Sequence, residues 1–526
     1  MVVAALAGVW LFLAKDMAGT IVQASVSGLI QTLMWPAFGY MLVGIAIGFW
    51  VGILPGLGGP VTMALMLGFV FQLKMNPVEA FAFLLGMMGV TATTGDITSI
   101  LFGVPGEVST ASTILEGHPM AKKGEAGRAL GAALFSSLMG AVFGAASIVI
   151  AIPIVTPLVM SLGTPEFFML AMAGVAFVGA LSGSNILKGL AVGGLGILFS
   201  TVGLDPQKGL ERYTFDQLYL WGSAERGGSG ISLIPATVGL FAIPEIIDLA
   251  IKGGSIAQAS VGKLGGAFQG VKDSLRHWGL VLRCSAIGTY IGIIPGMGGP
   301  VSQWVAYAYA MRSSGKQDKV GTGQVEGVLG PGAANNSTLG GALIPTIAFG
   351  VPGNVTAAIL LGAFLILGLR PGPDMLTKQL AVTFSLVWVL ILSNIITVAI
   401  CFLFLNQLAR LTNIRGTLLI PVILFLIYLG AYVNMNSFGD VLVTLVFGTL
   451  GWFMIQFGWS RPALLLGLVL GRPAENYLWL AYGRYGFAFL TRPLVIVLMV
   501  AILAVAVYPE VRKRWRKQFA SAGGGA

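Results

Sequence analysis

Histidine, cysteine and charge are all scarce in this chain. His118 and His277 are its two histidines, and Cys284 and Cys401 its two cysteines. Two separated histidines and two cysteines in apolar surroundings support neither a metal centre, nor a disulfide framework, nor a His-based hydrolytic site. No Walker A sequence, HExxH or GxSxG occurs, so the motifs of nucleotide-driven and common hydrolytic chemistry are missing. The chain is expected not to be an enzyme and to carry no cofactor. Charged residues make up 10% of it, against about a quarter in soluble domains, while 56% is hydrophobic and mean hydropathy is +0.89. That composition defines a polytopic membrane protein. With about 20 apolar residues per span, roughly ten to twelve transmembrane helices are expected, in an all-α fold.

The net charge of +10 does not point to nucleic acid. Basic residues fall in short loops and in Arg512–Lys517, RKRWRK, where the positive-inside rule places them. The reading divides the chain into five parts. Residues 1–36 form an N-terminal segment, a partial span or an interfacial stretch. Residues 37–251 and 277–510 are two halves with flanking spans. Residues 252–276 are a polar basic linker, and 511–526 a basic cytoplasmic tail.

Glycine, by contrast, is abundant: 75 residues, about double the usual ~7% share. Gly52–Pro60 reads GILPGLGGP, and Gly292–Pro300 reads GIIPGMGGP, 240 positions later. A second match runs at a shift of 247, pairing FGVPG at Phe102–Gly106 with FGVPG at Phe349–Gly353. The seven extra residues fit in the longer loop at 312–324. Two motifs repeated in the same order define an internal duplication, the half-protein repeat of transporters. The heavier basic load shifts to the non-equivalent loop in the second half, which favours inverted repeats.

Glycine and proline inside apolar runs break helices at membrane depth, where water cannot rescue freed backbone groups. Half-helix N-termini then attract anions and unwound carbonyls attract cations. Candidate contacts in the breaks are Pro55, Gly56, Gly58 and Gly59, with Pro295, Gly296, Gly298 and Gly299 in the copy. Gly103 and Pro105, with Gly350 and Pro352, line the second break of each half. Before each GVPG lies a polar knot: Thr93, Thr94, Asp96, Thr98 and Ser99 in one half, Asn335, Asn336, Ser337 and Thr338 in the other. These side chains can bind a carboxylate or coordinate sodium, and Asp96 and Asn336 are the candidate sodium contacts. Blander readings exist: Asp96 as a helix cap, the asparagines as interhelical glue, the glycines as close packing. Glu79 and Glu326, at equivalent positions, are expected at helix N-termini near the membrane boundary.

At GILPGLGGP, GVPGE, GIIPGMGGP and GPGAANNSTLGGALIPTIAFGVPGN (Gly330–Asn354), the chain resembles the large membrane subunit of the tripartite tricarboxylate transporters, the TctA type. The resemblance runs from about residue 30 to 505. It implies a bacterial inner-membrane permease working with a small four-span membrane subunit and a periplasmic solute-binding protein. It further implies secondary transport of citrate or other carboxylates, coupled to sodium or protons. With few basic residues inside the spans, an anionic cargo would be held by helix ends and by Asn, Ser and Thr. A passive anion channel and a non-transporting scaffold are the alternatives.

Overall fold

The computed structural model of the chain describes residues 2–53, 58–181, 186–205, 209–215, 217–221, 230–252, 265–411, 420–435 and 437–504. The fold is all-α. The first half contains α1 (Val2–Leu33), α2 (Ala37–Ile53), α3 (Gly59–Gln72), α4 (Pro77–Phe102), α5 (Ala111–Lys122), α6 (Ala126–Met160), α7 (Thr164–Leu181), α8 (Ile186–Ser200), the one-turn α9 (Leu218–Trp221) and α10 (Leu233–Lys252). The second contains α11 (Ala267–Arg276), α12 (Trp278–Ile293), α13 (Gly298–Ser313), α14 (Glu326–Phe349), α15 (Val355–Ile366), the one-turn α16 (Pro373–Leu376), α17 (Leu380–Leu411), α18 (Ile420–Met435), α19 (Phe438–Gln456) and α20 (Arg461–Tyr485). Among the described residues, the only strands are a two-residue ladder, Gly203–Leu204 against Glu211–Arg212.

Packing follows the duplication. Helix α2 lies on α4 as α12 lies on α14, α4 packs on α17 as α14 packs on α6, and α1 meets α17 as α11 meets α6. Likewise α10 packs on α19 and α18, while α20 packs on α8 and α7. Swapping the halves reproduces the contact pattern, so the two copies interlock around a shared centre. Within residues 252–276, expected as a linker, Ala267–Arg276 is a helix. Its Gly270 lies against Arg128 and Ala132 of α6, as Gly28 of α1 lies against Ala381 and Ser385 of α17.

Helices α4 and α14 form the centre. Every residue from Ala80 to Leu101 is buried, as is every residue from Glu326 to Leu343. Four helices are long and apolar enough to cross a bilayer by themselves, or six if each of two bent pairs counts as one span. The expected ten to twelve counted apolar stretches. Breaks divide many of these into helices of 10–17 residues, such as Gly59–Val70, Trp278–Ile293 and Val355–Ile366. The bent pairs are Met17–Leu33 with Ala37–Gly52, at 67°, and Arg461–Thr491 with Pro493–Ala504, at 72°.

The close approach of α2 to α4 depends on a small-residue ridge. Gly44, Gly48 and Gly52 recur every fourth residue. A Cβ on any of them would strike α4, at Phe83, Met87 and Thr94 respectively. The copy on α12 is Cys284, Gly288 and Gly292, and Cβ atoms on its glycines would strike α14 at Ser337 and Thr338. Such ridges let backbones meet where lipid offers no hydrophobic drive for association. Sequence thus places α2 and α12 directly against the polar knots.

Candidate functional site

Both knots lie within continuous helices rather than at helix ends, which sets aside the cap reading of Asp96. Each helix ends on a glycine in left-handed geometry, Gly103 and Gly350, both at φ 67°. Glycine is the residue that adopts this conformation without strain. Glu79 forms a capping box with Asn76 at the start of α4. Glu326 stands in the first turn of α14, 2.8 Å from Lys316. Both acids therefore sit at helix N-termini, as expected.

Most hydroxyls of the first knot are satisfied within their own helix. Thr91 donates to Met88, Thr94 to Val90, Thr98 to Gly95 and Ser99 to Gly95. Such back-bonding is how Ser and Thr tolerate an apolar interior. Thr93 also reaches outward, donating to Asn394 Oδ1 at 3.2 Å. Asn336 Nδ2 lies 2.9 Å from Thr93 Oγ1, 2.8 Å from Ser137 Oγ and 2.7 Å from Asn394 Oδ1. Asn335 Nδ2 donates to the Ala92 carbonyl of α4 at 2.7 Å. One amide thus ties α4, α6, α14 and α17 together, and its own Oδ1 is buried without a donor. Thr338 meets Ser302 of α13 at 2.6 Å, and Ser337 lends its carbonyl to Thr289 of α12.

Asp96 sits apart from this network. It is 1% exposed, and neither carboxyl oxygen has a hydrogen-bond partner. The groups that interact with it are Thr113 of α5 and Glu107 of the GVPGE break. Thr113 Oγ1 and Glu107 Oε2 are likewise buried without partners. Ser112, beside Thr113, donates to Gln303 Oε1 of α13 at 3.3 Å, leaving Gln303 Nε2 unpartnered. Four of the six described side chains with buried, unpartnered polar atoms therefore fall on α4, the GVPGE break, α5 and the neighbouring α13. Side chains left so in a native interior call for a ligand, ion or water. Two neighbouring carboxyls away from water need a cation or a proton between them. No group of three or more His, Cys, Asp and Glu that could hold a metal occurs among the described residues.

The predicted breaks converge on the same place. Gly58 lies against Glu107 just as Gly298 lies against Asn354, its counterpart at the shift of 247. Gly299 meets Ser109, and Gly59 meets Met88 and Thr91. Gly296 donates its N–H to the Gly353 carbonyl at 3.0 Å, joining the second PGxGGP, Pro295 included, to the second GVPG. Pro55 and Gly56 lie outside the described residues. Gly103 packs on His118, and Pro105 is half-buried. Pro352 is buried, and Gly350 opens onto a separate cavity.

Sequence reasoning missed Ser137, Asn394, Thr113 and Gln303, and it quoted Glu107 only as part of a motif. For Glu107 the signal was present: it is the acid of GVPGE where the copy reads GVPGN. The other four each stand beside one serine in mostly apolar helices, as in Ser112-Thr113, Ser136-Ser137, Ser302-Gln303 and Ser393-Asn394, and only packing brings them to the knots.

A helical membrane protein built of two interlocking copies, with broken helices and unpartnered polar groups near them, has the architecture of a membrane transporter. The family follows from comparison. A family model described as "Tripartite tricarboxylate transporter TctA family" matches residues 38–466, and the chain belongs to that family. It is 31% identical over 487 residues to an uncharacterized 52.8 kDa protein in the TAR-I ttuC' 3'region of Agrobacterium vitis. That match covers 91% of this chain and 95% of the relative. It is 30% identical over 234 residues to an uncharacterized protein in the TAR-II ttuC' 3'region of the same organism, covering 43% of this chain and 96% of that one. No solved structure matches. The chain is thus a multi-pass membrane transport subunit, of a family of transporters and not of enzymes.

Proposed function

We propose that the chain is the permease of a binding-protein-dependent secondary transporter that takes up tricarboxylates or other small carboxylates with a cation, sodium or proton. It would lie in a bacterial inner membrane, with its halves inverted, beside a small four-span membrane subunit and below a periplasmic solute-binding protein. The observation that carries the coupling is the pair Asp96 and Glu107, two neighbouring acids with buried, unpartnered oxygens. An intramembrane carboxyl of this kind marks an ion or proton path. With Thr113 it offers the hard oxygen ligands that sodium takes. The cargo carboxylates would meet the PGxGGP and GVPG backbones at the midplane, near Gly58, Gly298 and Gly299.

The test is uptake of radiolabelled citrate by proteoliposomes holding the chain, its small partner and a cognate binding protein, with sodium, proton or no gradient imposed. Concentrative uptake that needs one gradient and vanishes in Asp96→Asn supports the reading. Uptake indifferent to every gradient, or large ohmic currents without a binding protein, would make the chain a passive channel.

A further inference from the structure

A cavity lies away from the knots. It has a volume of about 730 Å³. Its walls are apolar, from Phe167 of α7, Phe199 of α8, Leu361 of α15 and Leu468 of α20. Into this greasy space come two guanidiniums, Arg370 and Arg472, with Asn476 and Tyr477 beside them, and no acidic residue lines it. Arg472 donates to the carbonyls of Ser200 and Val202 at 3.3 Å, which fixes its head at the wall. Arg370 is exposed and forms no ion pair with any described residue. Gly350 also lines the cavity, so it reaches the GVPG break. From there, thirteen residues of α14 lead to Asn336, about 20 Å at helical rise.

We propose that this cavity is a binding vestibule for an organic anion of carboxylate or phosphate chemistry, with Arg370 and Arg472 as its anion contacts. A low-dielectric pocket lined by charge of one sign concentrates the opposite sign, and guanidinium forks match carboxylate and phosphate oxygens. The duplication supports the assignment. Arg370 is the counterpart of Lys123 at the shift of 247, and Lys123 spends its ammonium on the Thr322 carbonyl at 2.6 Å. The same cation position is closed in one half and faces open space in the other. Such a site adds arginine contacts to a cargo path otherwise built of helix ends and small polar side chains. If the anion is cargo, the proposal rests on the permease reading above. An anionic lipid headgroup is the other source of the same chemistry.

The experiment places one reactive thiol in the cavity. Asn476→Cys is made in the full chain, whose native Cys284 and Cys401 are both buried. The protein is held in phosphatidylcholine nanodiscs. It is treated with anionic sulfonatoethyl or cationic trimethylammonioethyl methanethiosulfonate, each rate being referred to that of 2-mercaptoethanol. The anionic reagent should be favoured by about tenfold or more. The preference should collapse in the Arg370→Gln background, and the conservative Arg370→Lys should retain part of it. Slower anionic labelling with added citrate identifies cargo as the occupant. Slower labelling only when phosphatidylglycerol replaces part of the phosphatidylcholine identifies a headgroup. Equal referred rates for both reagents, or a preference untouched by Arg370→Gln, overturns the anion site. Asp96→Asn should abolish uptake and leave the labelling preference intact, which separates failure of the vestibule from failure of the permease mechanism.

Discussion

The two halves share a fold and differ in what they bury. At Asp96, Glu107 and Thr113 the first half carries polar side chains. The counterparts at the shift of 247 are Leu343, Asn354 and Leu360. Gln303, which joins the first cluster, corresponds to Met63 at the shift of 240. Leu343, Leu360 and Met63 are fully buried and apolar, and Asn354 serves as an ordinary N-cap of α15, accepting from Ala357. One copy of the repeat thus buries two carboxyls and a hydroxyl at positions where the other carries two leucines and a capping asparagine. Duplication supplied a symmetric frame, and divergence confined the titratable chemistry to one side.

Closure is asymmetric as well. Glu116 of α5 is completely buried and receives the N–H groups of Gly321, Gly323 and Gln324 at 2.7, 2.7 and 2.8 Å, with the Tyr307 hydroxyl at 3.0 Å. This carboxylate locks the first half onto the α13–α14 loop of the second. Its counterpart on α15 is Ala363, which can hold nothing of the kind. The open cavity lies on the Gly350 side, whereas at Gly103 the equivalent space holds His118. On the permease reading proposed above, one latched side and one open side are what alternating access requires.

Making the halves alike should therefore break function. The largest effect is expected for Asp96→Leu, which gives the first half the residue of the second. Gradient-driven uptake should fall by about 100-fold, the scale of a lost coupling between two sites. Expression and melting temperature should hold, because leucine fills the site without leaving a carboxyl to desolvate. Undiminished coupled uptake would sink the cation site. Next is Glu116→Ala, which copies Ala363. The backbone amides of Gly321, Gly323 and Gln324 lose their shared acceptor, and hydrogen exchange there should accelerate by at least about tenfold. Exchange unchanged at these three amides would show that Glu116 is no latch.

Asn336→Ala should cost about 1–2 kcal/mol of stability, the range of an interhelical hydrogen-bond network in a membrane. Asn394→Ala should cost less on top of it than alone, since the two share a bond. Additive losses in a double-mutant cycle would show that the pair is not coupled. The smallest effect is expected for Lys123→Ala. Its exposed bond to Thr322 should be worth under about 0.5 kcal/mol, and uptake should stay within roughly twofold of the parent. A loss like that of Glu116→Ala would mean that lysine, not glutamate, carries the closed contact.

Much of this was legible beforehand. The scarcity of charge and the excess of glycine marked a membrane fold, and the repeats at 240 and 247 marked two duplicated halves. Glu79 and Glu326 were placed at helix starts by the preference of acids for N-termini. Helix continuity through the knots was harder to read, because TATTGD and NNST look like breakers in a linear string. Within a bundle their hydroxyls bond back to carbonyls one turn earlier, as Thr91, Thr94 and Ser99 do, and the helix runs on. Nor could sequence pair Asn336 with Ser137 and Asn394, since side chains 58 and 199 positions away meet only after four helices have packed.

What the sequence determined alone was the class, the duplication and the list of polar residues that an apolar chain could not place idly. Those follow from local causes: composition, spacing and the limits of glycine and proline in a bilayer. The tertiary structure decided which of those residues act together. It buried polar atoms of Asp96, Glu107, Thr113 and Gln303 without partners, spent Asn336 on holding four helices, and left Arg370 facing an open cavity. Burial and partnership are properties of the packed bundle, because a polar atom becomes costly or useful only once its neighbours have removed the water around it.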